Sequence, residues 1–366
     1  MATVTIDRLR KLYGDVVAVA DLSLEIPDGS FVAILGPSGC GKTTTMNIIS
    51  GLDTPTSGRV LIGDVCVNDY PQGARSIGFV FQNWAVFRHM TVAQNLEYSL
   101  RALGISKRSR QAEVRRVAEL LQLAPLLERS AGRLSANETQ QVALGRTIIS
   151  RPSIFLLDEP FSNLDSQFRS RMRVELKRLQ RELGQTMIYV THDQTEAISM
   201  ADEIAVMRGG VLQQFATPKA IFNQPANRFV AEFIGDPPMN VIDGVLAGST
   251  RERFCLHGHH KIDMGDVFTS GSVAEGEPVA VGIRPEDIEI APHHSGPIEA
   301  SVDLIERLGR RTIVHLRLGQ LPIRVAAARV ASSLNVGDLV SLGLRPDRLH
   351  VFDDSGNCVH SPAFQV

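Results

Sequence analysis

The sequence predicts an α/β domain with a mostly parallel sheet, followed by a smaller all-β domain. From residue 1 to about 235, short apolar or β-branched runs alternate with longer amphipathic segments, as in layered strands and helices. Between residues 91 and 123 apolar residues recur every three or four positions, which predicts helices inserted into the sheet domain. After Gly235–Asn240, which contains two prolines and predicts a linker, short alternating segments broken by Gly and Pro indicate strands.

Length and composition are consistent with a two-domain globular protein. A single core rarely exceeds about 250 to 300 residues, and this chain has 366. We therefore expect domains at 1–235, with a helical part at about 84–150, and at 236–366. No apolar run approaches the roughly 20 residues of a spanning helix, and the charged N-terminus does not resemble a signal peptide. A cytosolic location is expected, and a net charge of −2 gives no general attraction to nucleic acid.

Five short apolar runs predict the buried strands of the first domain. These runs are Phe31–Leu35, Gly78–Phe81, Ile154–Asp158, Met187–Thr191 and Glu203–Met207. The carboxyl ends of parallel strands meet at one edge of a sheet, where α/β proteins bind their ligands. Polar residues that directly follow these strands are therefore the candidate site residues.

The first candidate is the glycine-rich segment "GPSGCGKT", which follows one predicted strand and precedes a predicted helix. This arrangement is typical of a phosphate-binding loop, whose backbone N–H groups surround the phosphates of a nucleotide. Lys42 would bridge the β- and γ-phosphate oxygens, and the Thr43 hydroxyl would bind Mg²⁺. The predicted nucleotide-binding residues here are Gly36, Pro37, Ser38, Gly39, Cys40, Gly41, Lys42, Thr43 and Thr44.

The second candidate is the pair of acids that ends "IFLLDEP". Asp158 would hold Mg²⁺, and Glu159 is placed to accept a proton from the water that attacks the γ-phosphate. Two further strands end in polar residues, His192 and Gln82. His192 is expected to contact the γ-phosphate or the attacking water, and Gln82 to bind Mg²⁺ or orient water. Together, these strand-end residues predict a nucleotide-binding site far more specifically than any one of them does.

These motifs, in this order, resemble the ATP-binding cassette of ABC transporters. The resemblance implies a D-loop at "SNLD", which ends in Asp165, and an aromatic ring at Tyr13 that stacks on adenine. The tail resembles the oligonucleotide-binding-type β domain of importer ATPases for maltose and glycerol phosphate. The expected function is therefore the ATPase subunit of a bacterial importer for a carbohydrate, a polyol such as glycerol, or a glycerol phosphate. The same appendage occurs in importers for polyamines, iron, sulfate and molybdate, which are the alternative. The resemblance implies ATP and Mg²⁺ as cofactors.

By this resemblance, cassettes work as dimers in which ATP lies between the phosphate loop of one subunit and the signature loop of the other. Two transmembrane permease subunits would dock on the helical part, and a periplasmic or lipoprotein solute-binding protein would act indirectly. The expected location is peripheral, on the cytoplasmic face of the inner membrane. A regulatory ATP-binding protein without transport-coupled hydrolysis is the alternative. ABC proteins that act on DNA or ribosomes are disfavoured, because the sequence has one phosphate loop and no sustained heptads.

The signature loop departs from the family pattern Leu-Ser-Gly-Gly-Gln. Here it reads "LSANE", residues 134–138. Ser135 can still offer a hydroxyl to the partner's ATP, but Glu138 has two interpretations. It would repel a facing γ-phosphate, or it would complete a Ser-x-x-Glu capping box with Ser135. Since only the residues donated across the dimer are altered, we predict a heterodimer with a second, different ATPase subunit.

The tail contains an internal repeat. "GEPVAVGIRPEDIEI", residues 276–290, resembles "GDLVSLGLRPDRLHV", residues 337–351. Each copy predicts a strand, an Arg-Pro turn and a second strand, as in two related small barrels or one duplicated barrel. A packing role and a ligand-binding role are both compatible with the repeat. Near it, "CLHGHHK" has three histidines without flanking acids, which does not favour a metal site.

Overall fold

A computed structural model describes residues 3–80, 86–161, 165–249, 252–258, 260–264, 273–296, 298–309, 311–326 and 334–362. The chain divides into two compact units, Met1–Pro218 and Lys219–Val366. The domain boundary predicted at residue 235 lies inside the second unit and stays a prediction. Among the described residues, no helix is long and apolar enough to span a membrane.

The first unit contains a ten-stranded sheet in the order β5-β4-β1-β2-β10-β9-β3-β8-β7-β6. Its strands are β1 (Val4–Tyr13), β2 (Val16–Ile26), β3 (Phe31–Leu35), β4 (Ser57–Ile62), β5 (Val65–Cys66), β6 (Ile77–Val80), β7 (Ile154–Asp158), β8 (Thr186–Thr191), β9 (Glu203–Arg208) and β10 (Val211–Ala216). The strands β6, β7, β8, β3 and β9 run parallel to one another. They confirm the five predicted strands, apart from Phe81, which lies outside the described residues.

Helices cover the sheet of the first unit. They are α1 (Lys42–Ser50), α2 (Val92–Ala102), α3 (Lys107–Leu120), α4 (Ala136–Ile148), α5 (Ser166–Leu183) and α6 (Gln194–Met200). The helices α2 and α3 confirm the helical insert, and their apolar faces share one core with α4 through Leu96, Val117 and Leu144. Thr91 is the N-cap of α2 and forms a capping box with Gln94. These polar residues determine where the helix begins, and its apolar residues determine which face is buried.

The second unit is mainly antiparallel β structure, which confirms the predicted all-β architecture. It contains α7 (Pro218–Asn223), α8 (Arg228–Phe233), β11 (Asn240–Ser249), β12 (Glu252–His257), β13 (His260–Asp263), β14 (Pro278–Ile283), β15 (Ile288–Pro292), β16 (Ile298–Leu308), β17 (Arg311–Leu318), β18 (Leu321–Ala326), β19 (Leu339–Leu344), β20 (His350–Phe352) and β21 (Cys358–His360). One sheet has the order β13-β12-β11-β14-β20-β21 and the other β15-β19-β16-β17-β18.

The sequence repeat connects these two sheets. Each copy gives one strand to each sheet, because β14 of the first copy pairs with β20 of the second, and β15 pairs with β19. A short 3-10 turn at Pro285 or Pro346 separates the two strands of a copy. Buried residues of both sheets, such as Val281 and Val314, share one apolar core. The arrangement matches one duplicated domain rather than two separate barrels.

Candidate ATP-binding and hydrolysis site

The phosphate loop lies between the fully buried strand β3 and helix α1. Gly41 precedes the helix with φ of 98°, a left-handed conformation that glycine adopts without strain. A Cβ at Gly41 would lie 2.5 Å from the Ala18 carbonyl oxygen, and one at Gly36 would lie 2.3 Å from that of Met207. The loop therefore needs glycine at both positions. Because Gly41 has no side chain to cap α1, the helix N-terminus can bind phosphate instead.

Lys42 lies folded over this loop. Its ammonium donates to the Gly36 carbonyl at 2.8 Å and to the Pro37 carbonyl at 2.9 Å. The Cys40 thiol is 3.8 Å away and is itself buried, and this burial raises the pKa of Cys40 although Lys42 opposes the shift. Cys40 thus stays a neutral thiol inside the loop, and Lys42 supplies the loop's positive charge.

Thr43 and Asp158 are far apart in sequence and meet in the structure. Asp158 ends β7 and is 9% exposed, and the Thr43 side chain lies close enough to its carboxylate to stabilise the charge. Burial raises the pKa of Asp158, the charge of Glu159 adds to this shift, and Thr43 and Lys42 oppose it. A buried carboxylate beside a hydroxyl is an oxygen donor set of the kind Mg²⁺ prefers. The two predicted metal ligands therefore fit that ion.

Glu159 and His192 come together from neighbouring strands. Glu159 Oε1 lies 3.1 Å from His192 Nδ1. The Glu159 backbone is left-handed, with φ of 43°, and its N–H donates to the Val190 carbonyl at 3.0 Å. Such a conformation costs about 1 to 3 kcal/mol in a residue other than glycine, and strain of this kind is common at functional sites. The turn brings an acid and an imidazole to the sheet edge that carries Asp158.

Tyr13 lies beside helix α1. It ends β1, is 49% exposed, and its hydroxyl donates to Asp53 Oδ2 at 2.5 Å. This hydrogen bond raises the pKa of Tyr13, and the neighbouring Thr44 side chain opposes the shift. The Lys11 ammonium lies 4.8 Å from the ring centroid. The structure thus places an exposed aromatic ring next to a residue of the predicted nucleotide site.

Gln82 and Asp165 are two further site residues predicted in this unit. Gln82 lies outside the described residues. Asp165 is exposed immediately before α5, and its carbonyl accepts the Arg169 N–H at 2.9 Å. The rest of the predicted D-loop, residues 162–164, is also outside the described residues.

The altered signature loop begins helix α4 with a complete capping box. The Ser135 N–H donates to Glu138 Oε2 at 2.7 Å, and the Glu138 N–H donates to Ser135 Oγ at 3.3 Å. Glu138 also lies 3.4 Å from the guanidinium of Arg129. The Ser135 hydrogen bond lowers the pKa of Glu138, so the carboxylate stays charged and occupied within its own chain. Of the two interpretations of Glu138, the capping box is confirmed.

Two buried polar residues support the site and were not predicted from the sequence. Gln140, on α4 and 2% exposed, donates to the carbonyl of Pro160, the residue after Glu159, at 2.5 Å. Glu196, 3% exposed on α6, accepts the hydroxyls of Tyr189 and Thr191, each at 2.7 Å. Thr191 directly precedes His192. These contacts fix the chain on either side of the Glu159–His192 pair.

A glycine-rich loop, a buried aspartate beside the threonine of that loop, and a parallel sheet define a P-loop nucleotide-binding protein. Family models then match three parts of the chain: ABC transporter at residues 19–162, MalK OB fold domain at 235–288 and TOBE domain at 281–352. The chain belongs to the ABC transporter ATP-binding proteins, as the sequence resemblance predicted. It binds ATP and is an ATPase coupled to transport.

Several relatives match over nearly the whole chain. The trehalose/maltose import ATP-binding protein MalK of Thermococcus litoralis is 43% identical, over 96% of this chain and 98% of its own length. The maltose/maltodextrin import protein MalK of Salmonella typhimurium is 40% identical, over 98% and 97%. The sulfoquinovosyl glycerol transport protein SmoE of Agrobacterium fabrum is 40% identical, over 96% and 98%.

The solved structures match the cassette part of the chain. A dimeric ATP-binding cassette in a post-hydrolysis state, bound to ADP and phosphate, is 31% identical with a TM-score of 0.54. The match covers 59% of this chain and 98% of that one. The cassette fold of the first unit is therefore shared with a protein of known nucleotide-bound structure.

Proposed function

We propose that this chain is the ATP-hydrolysing subunit of an importer for a carbohydrate, a polyol such as glycerol, or a glycerol phosphate. The observation that carries the catalytic part is the meeting of Lys42, Thr43, Asp158 and the Glu159–His192 pair at one edge of the sheet. The solute class is supported by the relatives, whose names refer to trehalose, maltose, maltodextrin and sulfoquinovosyl glycerol.

The residues at this edge have complementary roles in the proposal. The N–H groups of the phosphate loop and of the α1 N-terminus bind the phosphates. The Lys42 ammonium exchanges its two carbonyl partners for the β- and γ-phosphate oxygens. Thr43 and Asp158, with Gln82, would hold Mg²⁺, and the ion would neutralise charge on the phosphates. Glu159 accepts the proton of the attacking water, and His192 orients the carboxylate and contacts the γ-phosphate.

The remaining site residues act at the edges of the nucleotide. Tyr13 stacks on adenine, which its exposed ring beside Thr44 supports. Ser135 offers its exposed hydroxyl to the ATP of a second subunit, and Asp165 lies in the loop between subunits. The dimeric state of the similar cassette bound to ADP and phosphate supports this sandwich.

A cleft of about 440 Å³ supports docking of the permease subunits on the first unit. It lies between β6, α2 and α4, and its lining includes Val80, Asn95 and Tyr98. The Arg146 guanidinium, also in the lining, lies 4.3 Å from the Phe87 ring. In the proposal, two permease subunits hold the chain at the cytoplasmic face of the inner membrane, and a solute-binding protein acts through them.

The comparisons do not support the predicted heterodimer, and the structure weakens one argument for it, the expected repulsion between Glu138 and a partner's γ-phosphate. Glu138 is bonded to Ser135 and paired with Arg129, so it need not repel a partner's γ-phosphate. The alternative of a regulatory subunit without hydrolysis is disfavoured, because both Glu159 and His192 are present and in contact. Importers for polyamine, iron or oxyanions remain the alternative for the solute.

The proposal is tested by ATP hydrolysis and solute uptake. We expect Mg²⁺-dependent hydrolysis by the purified chain that Lys42→Ala abolishes and Lys107→Ala, at an exposed position on α3, does not change. Cells that lack the gene should lose uptake of labelled trehalose, maltose or glycerol phosphate, and the unaltered gene should restore it. Nucleotide binding without hydrolysis in the assembled complex would support the regulatory alternative. Hydrolysis with normal uptake of all three solutes would refute the solute class.

A further inference from the structure

Two histidines and a glutamate meet at the turn between β15 and β16. His294 Nδ1 lies 2.8 Å from Glu299 Oε1, and His293 Nε2 lies 3.3 Å from the same oxygen. The two imidazole rings are adjacent, with centroids 3.6 Å apart. The three donor atoms all lie within 4.8 Å of one another.

We propose that His293, His294 and Glu299 form a binding site for a divalent transition metal ion such as Zn²⁺. Bonds of about 2.0 to 2.2 Å in a tetrahedral site place neighbouring donors about 3.4 Å apart. The two distances to Glu299 lie close to that separation, so small side-chain rotations suffice to admit an ion. Water would complete the coordination, because the side chains of His294 and Glu299 are 76% and 44% exposed.

The donor set defines the class of ion. Neutral imidazoles select borderline metals such as Zn²⁺, Ni²⁺ and Cu²⁺ over Mg²⁺, which prefers oxygen donors. The site therefore differs chemically from the oxygen-lined pair Thr43 and Asp158 of the first unit. A shared ion also allows two neutral imidazoles to face one carboxylate, whereas two imidazolium rings at 3.6 Å would repel each other.

Within the described residues this is the single group of three such donors. His315 and Glu306 form a comparable pair in the same sheet, 3.0 Å apart, without a second histidine. That pair is the matched control. Cys255 is fully buried, and burial raises the pKa of its thiol to about 12, so it does not compete for the ion. Cys66 is exposed, so a Cys66→Ser variant tests whether its thiol contributes to metal binding.

The test is calorimetric titration of the full, tag-free chain with Zn²⁺ in excess Mg²⁺. We expect one ion per chain. His293→Ala, His294→Ala and Glu299→Gln should each weaken binding more than about tenfold, whereas His315→Ala and Cys66→Ser should leave it unchanged. Co²⁺ should give a visible absorption band without a thiolate charge-transfer band, and His294→Ala should remove it.

Folding of the variants is checked by their melting temperatures without metal, which should match that of the unaltered chain because His293 and His294 lie in the turn and Glu299 lies on β16 with its side chain 44% exposed. Zn²⁺ should raise the melting temperature of the unaltered chain and not that of the His294→Ala chain. The proposal is overturned if the unaltered chain binds no Zn²⁺. It is equally overturned if binding survives in the variant that lacks all three side chains, or if Cys66→Ser removes it.

Discussion

Glu159 is the residue on which the proposed chemistry depends most directly. It directly follows Asp158, the proposed Mg²⁺ ligand, and its Oε1 lies 3.1 Å from the His192 Nδ1. We expect Glu159→Gln to keep ATP binding and to lower hydrolysis by about 10² to 10⁴-fold, the usual contribution of a general base. Retention of intact ATP on the purified protein measures this. Glu119→Gln, at an exposed position on α3, is the control, and unchanged turnover in Glu159→Gln would exclude Glu159 as the base.

Arg284 and Arg345 occupy equivalent positions in the two copies of the repeat, but their environments differ. Arg284 is 3% exposed and donates to the carbonyls of Phe222, Ala231 and Ile234, with its guanidinium 4.1 Å from the Phe222 ring. Burial lowers the pKa of Arg284 to about 10, so it stays charged at neutral pH. In the second copy, Arg345 is exposed and paired with Asp347 instead.

This difference predicts unequal effects of the same substitution. Arg284→Met should destabilise the chain by about 1 to 3 kcal/mol or more, because it leaves buried carbonyls without a donor. Arg345→Met should change stability by no more than about 0.5 kcal/mol, as is usual for exposed positions. Urea denaturation monitored by proteolysis of the second unit measures both. Equal effects of the two substitutions would contradict the anchoring role of Arg284.

The start of helix α4 carries the altered signature loop, where the sequence departs from the family pattern. Its capping box involves Glu138, and Gln also completes a capping box at that position. We therefore expect Glu138→Gln to leave ATP turnover within about twofold, because the carboxylate already has partners in its own chain. A rise of tenfold or more in turnover would show that the charge opposes a partner's phosphate after all.

The same helix is connected by Gln140 to the turn that carries Glu159, the proposed general base. The buried Gln140 amide donates to Pro160, so α4 and the loop after Glu159 are held as one body. Gln140→Leu should remove this bond, shift the Glu159 carboxylate and lower kcat on the order of tenfold to a hundredfold, with little change in the KM for ATP. Gln141→Leu, the next residue of α4, is the control. Equal loss of activity in both variants would indicate general destabilisation instead of positioning.

Over the whole molecule, the sequence predicted the parts whose patterns are local. The central parallel strands are buried on both faces, so strands such as β3 are continuous apolar runs. Strand β1 was not predicted, because register shifts between Ile6 and Leu9 interrupt its alternation, and Arg8 has φ of 46° there.

The site residues also divide into those that a local sequence motif predicts and those that only contacts between distant elements reveal. Lys42, Thr43 and Asp158 belong to contiguous motifs, so the sequence alone predicts them. Gln140 and Glu196 act through side-chain contacts, and Gln140 reaches a residue 20 positions away in the chain. No local pattern reveals such a partner, because burial of a polar side chain depends on how distant elements pack.

The oligomeric state of the chain is predicted from the contacts of its signature loop. The sequence argument for a heterodimer depended on the altered signature loop, and one part of it, repulsion by Glu138, is weakened because that carboxylate is occupied by Ser135 and Arg129. The Glu159→Gln chain, which should retain ATP, is therefore expected to pair with itself when ATP and Mg²⁺ are present and to separate when they are removed. Light scattering after size-exclusion chromatography would show a doubled mass with ATP.

Ser135→Ala is the informative variant for that assembly. It removes the helix cap and also the hydroxyl that we propose contacts a partner's ATP, whereas Thr91→Ala removes only a comparable cap from α2. Each should lower stability by about 0.5 to 2 kcal/mol, but only Ser135→Ala should weaken ATP-dependent pairing. A chain that stays monomeric with ATP, yet pairs with a second cassette protein from the same cell, would restore the heterodimer, because the replaced glycines would then prevent self-pairing even with Glu138 capped.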